Sequence, residues 1–223
     1  MELKIIARIY TDFKEKFGIP RQSGICESIG RIVFEKEYRR PEALRGIEGY
    51  SHLWLIWQFS QAVREDWSAT VRPPRLGGNK KMGVFATRSP FRPNPIGLSS
   101  VKLIGLEERE DEGTVLIVSG ADILDGTPIY DIKPYLKFTD SHEDALGGFA
   151  DGVQGYEIEV DFPIELLSMI EDSDREALIT LLKNDPRPAY KDEGEREYGM
   201  KYASYEVFFK VTRGVLTVTR VKA

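Results

Sequence analysis

The sequence predicts a mainly β protein, in which a single-sheet antiparallel β-barrel is followed by a small C-terminal α+β domain. Three observations support this fold class. Seven β-branched and aromatic segments fill the first two-thirds of the 223 residues, no long helix recurs between them, and the residue pattern changes after position 155. Alternating βαβ units are therefore disfavoured, and a mainly antiparallel sheet or barrel is favoured.

Each of the seven segments lies between stretches that contain Gly or Pro, as strands rich in β-branched and aromatic residues do. The predicted strands cover residues 3–10, 31–35, 51–59, 82–87, 99–108, 114–122 and 128–135. The third of them, SHLWLIWQF, is apolar at nearly every position. We therefore expect this strand to be covered on both faces or to line a closed barrel.

A hydrophilic stretch with several glycines, residues 139–155, predicts a linker between two domains. We place the barrel domain at residues 1–140 and the small α+β domain at residues 141–223. The second domain begins with a predicted strand at 156–162. Pro163 follows directly and suits the first position of a short helix, because its missing N–H would have no partner there.

A second helix of the small domain is predicted to begin at Ser173, which has capping-box spacing with Glu176, and to end near Asp185. The last predicted element is a β-hairpin over residues 202–221 that turns at Arg213–Gly214. The apolar face of the helix is formed by Ala177, Leu178, Leu181 and Leu182.

The composition is that of an ordinary globular protein, with 41% hydrophobic and 30% charged residues. No stretch reaches the roughly 18–20 continuous apolar residues of a membrane span, so no membrane association is expected. The N-terminal residues alternate apolar and charged side chains, which is unlike a secretory signal. The one cysteine, Cys26, excludes an internal disulfide framework and a cysteine-based zinc cluster. We expect a cytoplasmic protein.

The charge is distributed unevenly, although the net charge of −5 argues at first against a nucleic-acid partner. Residues 67–106 contain seven cations and no acidic residue, so the rest of the chain carries −12. A polyanion responds to this local field rather than to the sum. The segment therefore indicates a phosphate or carboxylate partner, and its cations are Arg72, Arg75, Lys80, Lys81, Arg88, Arg92 and Lys102.

Several familiar kinds of site are absent from the sequence. It contains no G-x-G-x-x-G, no Walker A motif and no G-x-S-x-G. The two histidines, His52 and His142, have no metal-ligand spacing. Cys26 has no obvious base near it in sequence and is interpreted as an inert thiol. Any catalysis must therefore depend on positioning and electrostatics, without a metal.

The most unusual segment is VRPPRLGGNKKMGVFATRSPFRPNPIGLSS, residues 71–100. Its five prolines fix backbone angles, and its glycines permit tight turns and close backbone approach. Four arginines lie between them, and the rigid guanidinium fork suits carboxylate and phosphate groups. A loop this stiff and this rich in donors predicts a preorganised anion site.

Three further segments are candidates for a site, although an ordinary turn or loop explains each of them equally well when it is taken alone. Residues 121–136 contain a turn signature, Asp125–Gly126–Thr127–Pro128, within an apolar stretch that also carries Asp122 and Asp131. These carboxylates are placed either to pair with the cationic segment or to contact a cationic ligand. Residues 13–24 include Pro20–Arg21–Gln22, and residues 185–190 include Arg187 between two prolines.

These segments together resemble the TrmO family, also called TsaA-like, of tRNA methyltransferases. The matching stretches are KEKFGIPRQ, VRPPRLGGN, GVFATRSPFRPNPIGLS, DGTPIYDIKPYL and DPRPAY, in family order and over nearly the whole chain. The resemblance implies a homodimeric β-barrel enzyme that uses S-adenosyl-L-methionine (SAM). It also implies N6-methylation of N6-threonylcarbamoyladenosine at position 37 of tRNA, beside the anticodon.

The resemblance further implies a set of cofactor-binding positions. Ser60 is a departure from the family pattern, since many relatives carry His–Gln at this point, and only a backbone contact is expected there. The implied SAM-binding residues are Pro20, Arg21, Gln22, Ser60, Gln61, Arg88, Leu98, Leu124, Asp125, Gly126 and Thr127.

The chemistry of methyl transfer suggests roles for individual side chains. The acceptor nitrogen must lose a proton, and Asp131 or Asp125 is expected to accept it or to face the sulfonium charge. The threonyl carboxylate of the acceptor suits Arg88 or Arg92, and we expect Asp131 and Arg92 to be catalytic. RNA contacts are expected from Arg72, Arg75, Lys80, Lys81, Arg92 and Arg187.

Three alternatives remain open on the sequence. An RNA-binding barrel without catalysis shares the basic segment but binds no SAM. A SAM enzyme with a small-molecule acceptor transfers methyl groups without tRNA, and its substrate affinity depends little on salt. A structural protein that pairs its basic loop with an acidic partner binds neither SAM nor RNA.

Overall fold

The chain is described here by a computed structural model, which covers residues 2–76, 80–187 and 196–223, without the side chains of Arg75 and Val153. The described strands are β1 Ala7–Tyr10, β2 Ile29–Phe34, β3 His52–Gln58, β4 Thr70–Val71, β5 Met82–Gly83, β6 Ile96–Arg109, β7 Gly113–Ser119, β8 Thr127–Pro134, β9 Glu159–Asp161, β10 Tyr198–Tyr202, β11 Tyr205–Thr212 and β12 Val215–Lys222. The α-helices are α1 Pro41–Leu44, α2 Lys137–Asp140, α3 Ile164–Leu167 and α4 Asp172–Lys183.

Short 3-10 turns connect several of these elements. They cover Lys36–Tyr38, Ile47–Gly49, Ser60–Ala62, Pro74–Leu76, Val84–Ala86 and Gly148–Val153. Within the described part of the chain, no helix is both long and apolar enough to cross a membrane.

Six strands form a closed ring sheet in the order β1-β2-β7-β6-β3-β8, and β8 returns to β1. Every neighbouring pair in the ring is antiparallel. The mainly β, antiparallel character predicted from the sequence is thus confirmed. The central strand β3 alternates, because Leu53, Leu55 and Trp57 are buried while the residues between them are half-buried. The long apolar run is therefore explained by one fully buried face and one partly covered face.

The segment predicted as a strand at residues 82–87 is mostly not a strand. Only Met82–Gly83 pairs, with β4, and Val84–Ala86 is a 3-10 turn. The prediction was wrong because the hydroxyl and N–H of Thr87 both donate to the carbonyl of Val84 and close a turn. Strand β6 in turn begins three residues earlier than predicted, at Ile96.

The C-terminal part forms a four-stranded sheet in the order β10-β11-β12-β9, where β9 runs parallel to β12. The hairpin prediction is confirmed: Arg213 and Gly214 both have positive φ, 52° and 82°, as a tight primed turn requires. Helix α4 begins at Asp172 with Glu171 as its N-cap residue, so the predicted capping box at Ser173 was wrong. Its buried face, Leu178, Leu181 and Leu182, is as predicted.

Two hydrophobic cores are present, one inside the ring sheet and one between α4 and the four-stranded sheet. The second core also contains Phe13 and Cys26, which lie on the long connection between β1 and β2. We call residues 11–28 the β1–β2 connection. Gly18 of this connection, with φ of 95°, lies so close to Met200 that a Cβ atom would be 2.4 Å from its sulfur. The connection is therefore anchored on the C-terminal sheet rather than on its own strands alone.

Candidate functional site

A cavity of about 1030 Å³ opens at one end of the ring sheet. Four segments that are distant in sequence line it: the β1–β2 connection, the end of β3 with the turn after it, the arginine–proline segment with the start of β6, and the turn before β8. Its lining residues include Lys16, Pro20, Arg21, Gln22, Trp57, Phe59, Ser60, Gln61, Phe85, Arg88, Arg92, Gly97, Leu98, Asp122, Leu124 and Thr127.

The floor of the cavity is formed by Trp57 and the strand that pairs with it. Trp57 lies opposite Gly97, and a Cβ atom at position 97 would be 2.2 Å from the indole ring. Only glycine at position 97 therefore leaves room for the indole ring of Trp57 beside β6. The indole N–H donates to the Ser99 hydroxyl over 3.0 Å, and this hydroxyl donates to the Asp122 carboxylate over 2.5 Å. Trp57, Ser99 and Asp122 thus form a series of two hydrogen bonds that ends at the Asp122 carboxylate.

Asp122 is the one carboxylate among the described residues that line the cavity. Burial raises the pKa of this carboxyl, and the hydrogen bond from Ser99 and the charge of Arg88 oppose that rise. The carboxylate therefore sits in a poorly solvated place beside cations. Perturbed acids in concave sites are candidates for proton transfer or for binding a cationic ligand.

Four cations line the same cavity: Lys16, Arg21, Arg88 and Arg92. Arg88 is exposed and donates through Nη1 to the side-chain carbonyl of Gln22 over 2.5 Å, which joins the arginine–proline segment to the β1–β2 connection. Lys16 donates to the backbone carbonyl of Gln61 over 3.0 Å and joins that connection to the turn after β3. The cavity is therefore positively charged and is held together across three loops.

The arginine–proline segment is a succession of side-chain-supported turns. The Thr87 hydroxyl accepts from the N–H of Ser89 over 3.3 Å, and the Ser89 hydroxyl accepts from the N–H of Phe91 over 3.2 Å. Arg92 donates through Nη1 to the Thr87 carbonyl over 3.3 Å. These bonds hold Arg88 and Arg92 on one short rigid loop at the cavity.

Most of the sequence-predicted cofactor residues come together at this cavity. Those in its lining are Pro20, Arg21, Gln22, Ser60, Gln61, Arg88, Leu98, Leu124 and Thr127. Asp125 and Gly126 are not among the lining residues, although they form the turn between two that are. The Asp125 carboxylate accepts from the N–H of Thr11 and pairs with Lys14, both over 2.9 Å, so it anchors the turn on the β1–β2 connection.

Asp131 lies away from the cavity. Its carboxylate pairs with Lys133 over 3.0 Å and accepts from the N–H of Ile132, and about half of the side chain is exposed. A residue that does not reach the cavity is poorly placed to accept a proton there. The structure therefore favours Asp122 over Asp131 and Asp125 for that role.

The guanidinium of Arg187 lies in an ion pair. Its Nε and Nη2 bind the two oxygens of Asp185 over 2.8 and 3.0 Å, and its side chain is only 11% exposed. The RNA contact expected at this position stays a prediction, and it would require the ion pair to open. Arg72, Lys80 and Lys81 are exposed beyond the cavity, and Arg75 has its side chain outside the described residues.

Sequence reasoning did not single out three residues that define the cavity floor: Trp57, Gly97 and Ser99. Trp57 reads as an ordinary core residue in an apolar strand, and Ser99 as the start of a strand. Asp122 was noticed as one of three nearby carboxylates, but nothing in the sequence distinguished it. Strand pairing between positions 57 and 97 supplies that information, and it is visible only in the structure.

Comparison with known proteins agrees with this geometry. The tRNA-methyltransferase O N-terminal domain model matches residues 8–141, and the TrmO C-terminal domain model matches residues 156–223. The chain is 41% identical over 216 residues to a protein of Escherichia coli K12 named tRNA (adenine(37)-N6)-methyltransferase, which covers 93% of this chain and 92% of that one.

A curated sequence and a solved structure from Pseudomonas aeruginosa are also similar. The sequence is named a putative S-adenosylmethionine-dependent methyltransferase and is 40% identical over 216 residues, 93% of this chain and 91% of that one. The structure is a crystal structure of TrmO, with a TM-score of 0.78 and 32% identity, covering 100% of this chain and 98% of that one. The chain thus matches a class of tRNA methyltransferase in both fold and sequence. The chain belongs to the TrmO family.

Proposed function

We propose that this chain is a SAM-dependent methyltransferase that methylates N6 of adenosine 37 in tRNA, with N6-threonylcarbamoyladenosine as the acceptor. The observation that carries the proposal is the cavity itself. Nine of the eleven positions that the family resemblance assigns to SAM lie in four distant segments and still line one cavity. Family membership supports the reaction, since the relative in E. coli bears the name of this activity.

The residues present fit SAM. The cavity of about 1030 Å³ is at the upper end of ligand pockets, which leaves room for the acceptor base beside the cofactor. Trp57, Phe59 and Leu98 offer apolar and aromatic surface for an adenine ring. Arg21 and Arg88 suit the carboxylate of SAM. SAM, when bound, supplies the electrophilic methyl group.

The residues of the chain are proposed to contribute position and charge. Transfer of the methyl group to N6 would require that N6 give up its proton. We assign that proton to the Asp122 carboxylate, whose bond from Ser99 fixes its orientation. Arg92, held by its bond to the Thr87 carbonyl, is assigned to the threonyl carboxylate of the acceptor. The cavity is also proposed to align the acceptor nitrogen with the methyl group, and this alignment supplies the remaining rate acceleration.

Exposed cations around the cavity are proposed to bind the tRNA backbone. Arg72, Lys80 and Lys81 lie in the segment that contains no acidic residue, and all three side chains are exposed. Such contacts fix the register of the RNA without reading its sequence.

Four finer features complete the proposal. The ring sheet is the catalytic single-sheet β-barrel, with the domain boundary at residues 140 and 141. The protein works as a homodimer, as the family resemblance implies, and it acts in the cytoplasm where tRNA is modified.

Calorimetric titration of the full chain with SAM tests the cofactor assignment. We expect one site, and we expect Arg88→Ala to weaken it by about 10–100-fold, since a charged hydrogen bond contributes roughly 1.5–3 kcal/mol. Lys102→Ala removes an exposed cation of β6 outside the cavity and should leave the affinity unchanged. Absence of SAM binding to the wild-type protein would favour the non-catalytic RNA-binding alternative.

A further inference from the structure

We propose that Asp185 and Arg187 of the small domain are positioning residues for the cofactor cavity. Their ion pair shapes a turn whose two carbonyl oxygens hold the guanidinium of Arg21. The inference rests on the proposed SAM site, because Arg21 is one of the residues assigned to it. It gives the C-terminal domain a role in cofactor binding through a single side chain of the β1–β2 connection.

The contact between the two parts of the chain is direct. Nη2 of Arg21 donates to the backbone carbonyl of Asp185 over 2.8 Å and to that of Arg187 over 2.9 Å. These partners are 164 and 166 residues away in sequence. Arg21 also lines the cavity, whereas neither Asp185 nor Arg187 does. The small domain therefore reaches the cavity at this point by way of Arg21.

The two carbonyls are held in place by the side chains of their own residues. Asp185 has a left-handed φ of 48°, an unusual conformation that Asp and Asn tolerate better than other residues. Its carboxylate binds Arg187 on both oxygens and also accepts from the N–H of Arg187 over 3.3 Å. The two side chains are 7% and 11% exposed. The hydrogen bond from Arg187 to Asp185 raises the pKa of that guanidinium, so the arginine keeps its charge.

The pair is expected to act on geometry more than on net stability. Removing two charges from water costs about as much as their attraction returns, so buried ion pairs contribute little to folding on balance. A bidentate pair between residues two apart does, however, select one backbone conformation of the turn. In that conformation both carbonyls point at one nitrogen. A long arginine side chain held in this way binds its ligand without first losing rotamer freedom.

The rest of the β1–β2 connection is fixed independently of this pair. Phe17 stacks on Tyr198 and Phe209, with ring centroids 6.3 and 6.4 Å apart. The carbonyl of Asp12 accepts from the N–H of Ala203 over 3.1 Å. Loss of the Asp185–Arg187 pair is therefore expected to weaken the hold of the two carbonyls on Arg21 while the connection stays docked.

The test is a double-mutant cycle on SAM affinity, measured by calorimetry on the full chain. Asp185→Asn removes the charge while Asn still tolerates the left-handed conformation. We expect it to weaken SAM binding about 10-fold in the wild-type background and to have no effect in the Arg21→Ala background. Arg187→Lys, which keeps the charge but loses the fork, should fall between wild type and Asp185→Asn.

Lys222→Ala serves as the matched control. It breaks an exposed pair with Glu206, 3.5 Å long, in the four-stranded sheet of the same domain. The SAM affinity should not change. Equal losses of affinity for Asp185→Asn with and without Arg21 would overturn the inference, because the ion pair would then act on the domain as a whole. An unchanged affinity in the wild-type background would overturn it as well.

A second readout does not depend on SAM. The Arg21 Nη2–H resonance, assigned by its loss in Arg21→Lys, should be sharp and exchange slowly with water in the wild-type and Lys222→Ala proteins, because Nη2 donates to both carbonyls. It should broaden or vanish in Asp185→Asn. If the wild-type protein binds no SAM, the proposed function fails, while this resonance still decides whether the ion pair positions Arg21. An unaltered resonance in Asp185→Asn would contradict the inference.

Discussion

Asp122 combines two properties that determine what the cavity can do at the scale of a single residue. Burial raises the pKa of its carboxyl, and Ser99 fixes one of its oxygens over 2.5 Å. A carboxylate that is costly to ionise is a better proton acceptor than an exposed one. One acid is therefore sufficient as a proton acceptor in a cavity that several cations line.

Asp122→Asn should lower the methyl-transfer rate by about 10²–10⁴-fold, the usual contribution of a positioned base, with a much smaller change in SAM affinity. Single-turnover transfer to tRNA measures the first quantity and calorimetry the second. The matched control is Asp131→Asn, which removes an acid paired with Lys133 outside the cavity. If methyl transfer were slowed in Asp131→Asn and unchanged in Asp122→Asn, Asp131 would be the catalytic acid–base residue, as the sequence predicted.

The same substitution has an opposite effect on stability. The pKa of Asp122 is higher in the folded protein than in the unfolded chain. Its stabilising contribution is therefore fully present below the pKa of about 3.9 of an unfolded aspartate. The contribution is lost as the pH rises through the pKa that Asp122 has in the folded protein. At pH 7 the ionised carboxylate therefore destabilises the fold. Asp122→Asn should unfold at a higher temperature than wild type at pH 7, and the difference should shrink toward pH 4. A lower unfolding temperature at pH 7 would contradict the assigned burial cost.

Gly97 tests the floor of the cavity. Gly97→Ala places a Cβ atom 2.2 Å from the Trp57 ring, so the indole must move. We expect a loss of about 1–3 kcal/mol in the free energy of unfolding and weaker SAM binding, since overpacking displaces side chains. Gly105→Ala is the control, because the same strand has open space around that position. Urea unfolding of both variants measures the difference, and equal losses would contradict the predicted clash between position 97 and Trp57.

At the scale of the element, the arginine–proline segment shows how far composition can predict geometry. Its prolines and glycines predict a stiff loop, and the structure has one. The position of each guanidinium depends instead on Thr87 and Ser89, whose hydroxyls accept from backbone N–H groups two residues later. Short polar residues of this kind were not distinctive in the sequence, and the segment 82–87 was accordingly mistaken for a strand.

Arg92→Ala should lower the rate of methyl transfer to tRNA far more than it lowers SAM affinity. The reason is that Arg92 is assigned to the acceptor rather than to the cofactor, while its bond to the Thr87 carbonyl holds it on the loop. Steady-state transfer with saturating SAM, beside calorimetry, separates the two effects. An equal loss in both would remove Arg92 from its assigned role and leave it as a support for the loop.

Arg187 illustrates a limit of reading loops one residue at a time. An arginine between two prolines was expected to face RNA, yet it lies two residues after Asp185 and pairs with it. The spacing was a usable signal, but the left-handed φ of 48° at Asp185, which brings the two side chains together, is visible only in the structure. Local patterns therefore identified the segment and not its function.

At the scale of the whole molecule, the sequence predicted a mainly β antiparallel architecture and the segments that meet at one site. Strand patterns and turn residues carry that information locally. The closing order of the ring, the pairing of Trp57 with Gly97 and the docking of Phe13 in the second core depend on long-range contacts. Those features decide which carboxylate reaches the cavity, and no short segment encodes them.

The charge distribution gives a prediction at the same scale. Replacement of Arg72, Lys80 and Lys81 by alanine should weaken tRNA binding uniformly and lower the slope of log affinity against log salt by about 2–3, one released counterion for each lost phosphate contact. Filter binding from low to moderate salt measures the slope. The control replaces Lys36, Arg40 and Arg45, exposed cations between β2 and β3. The same change in both triple variants would show that net charge, not this segment, governs binding.

Methylation of position 37 is best measured by transfer of a tritiated methyl group from SAM to tRNA, with tRNA from cells that contain threonylcarbamoyladenosine and from cells that lack it. Site-specific digestion then locates the label. We expect label at position 37 of the modified tRNA alone, and its loss in Asp122→Asn. SAM binding without label in either tRNA would contradict methylation of threonylcarbamoyladenosine and point to a different methyl acceptor.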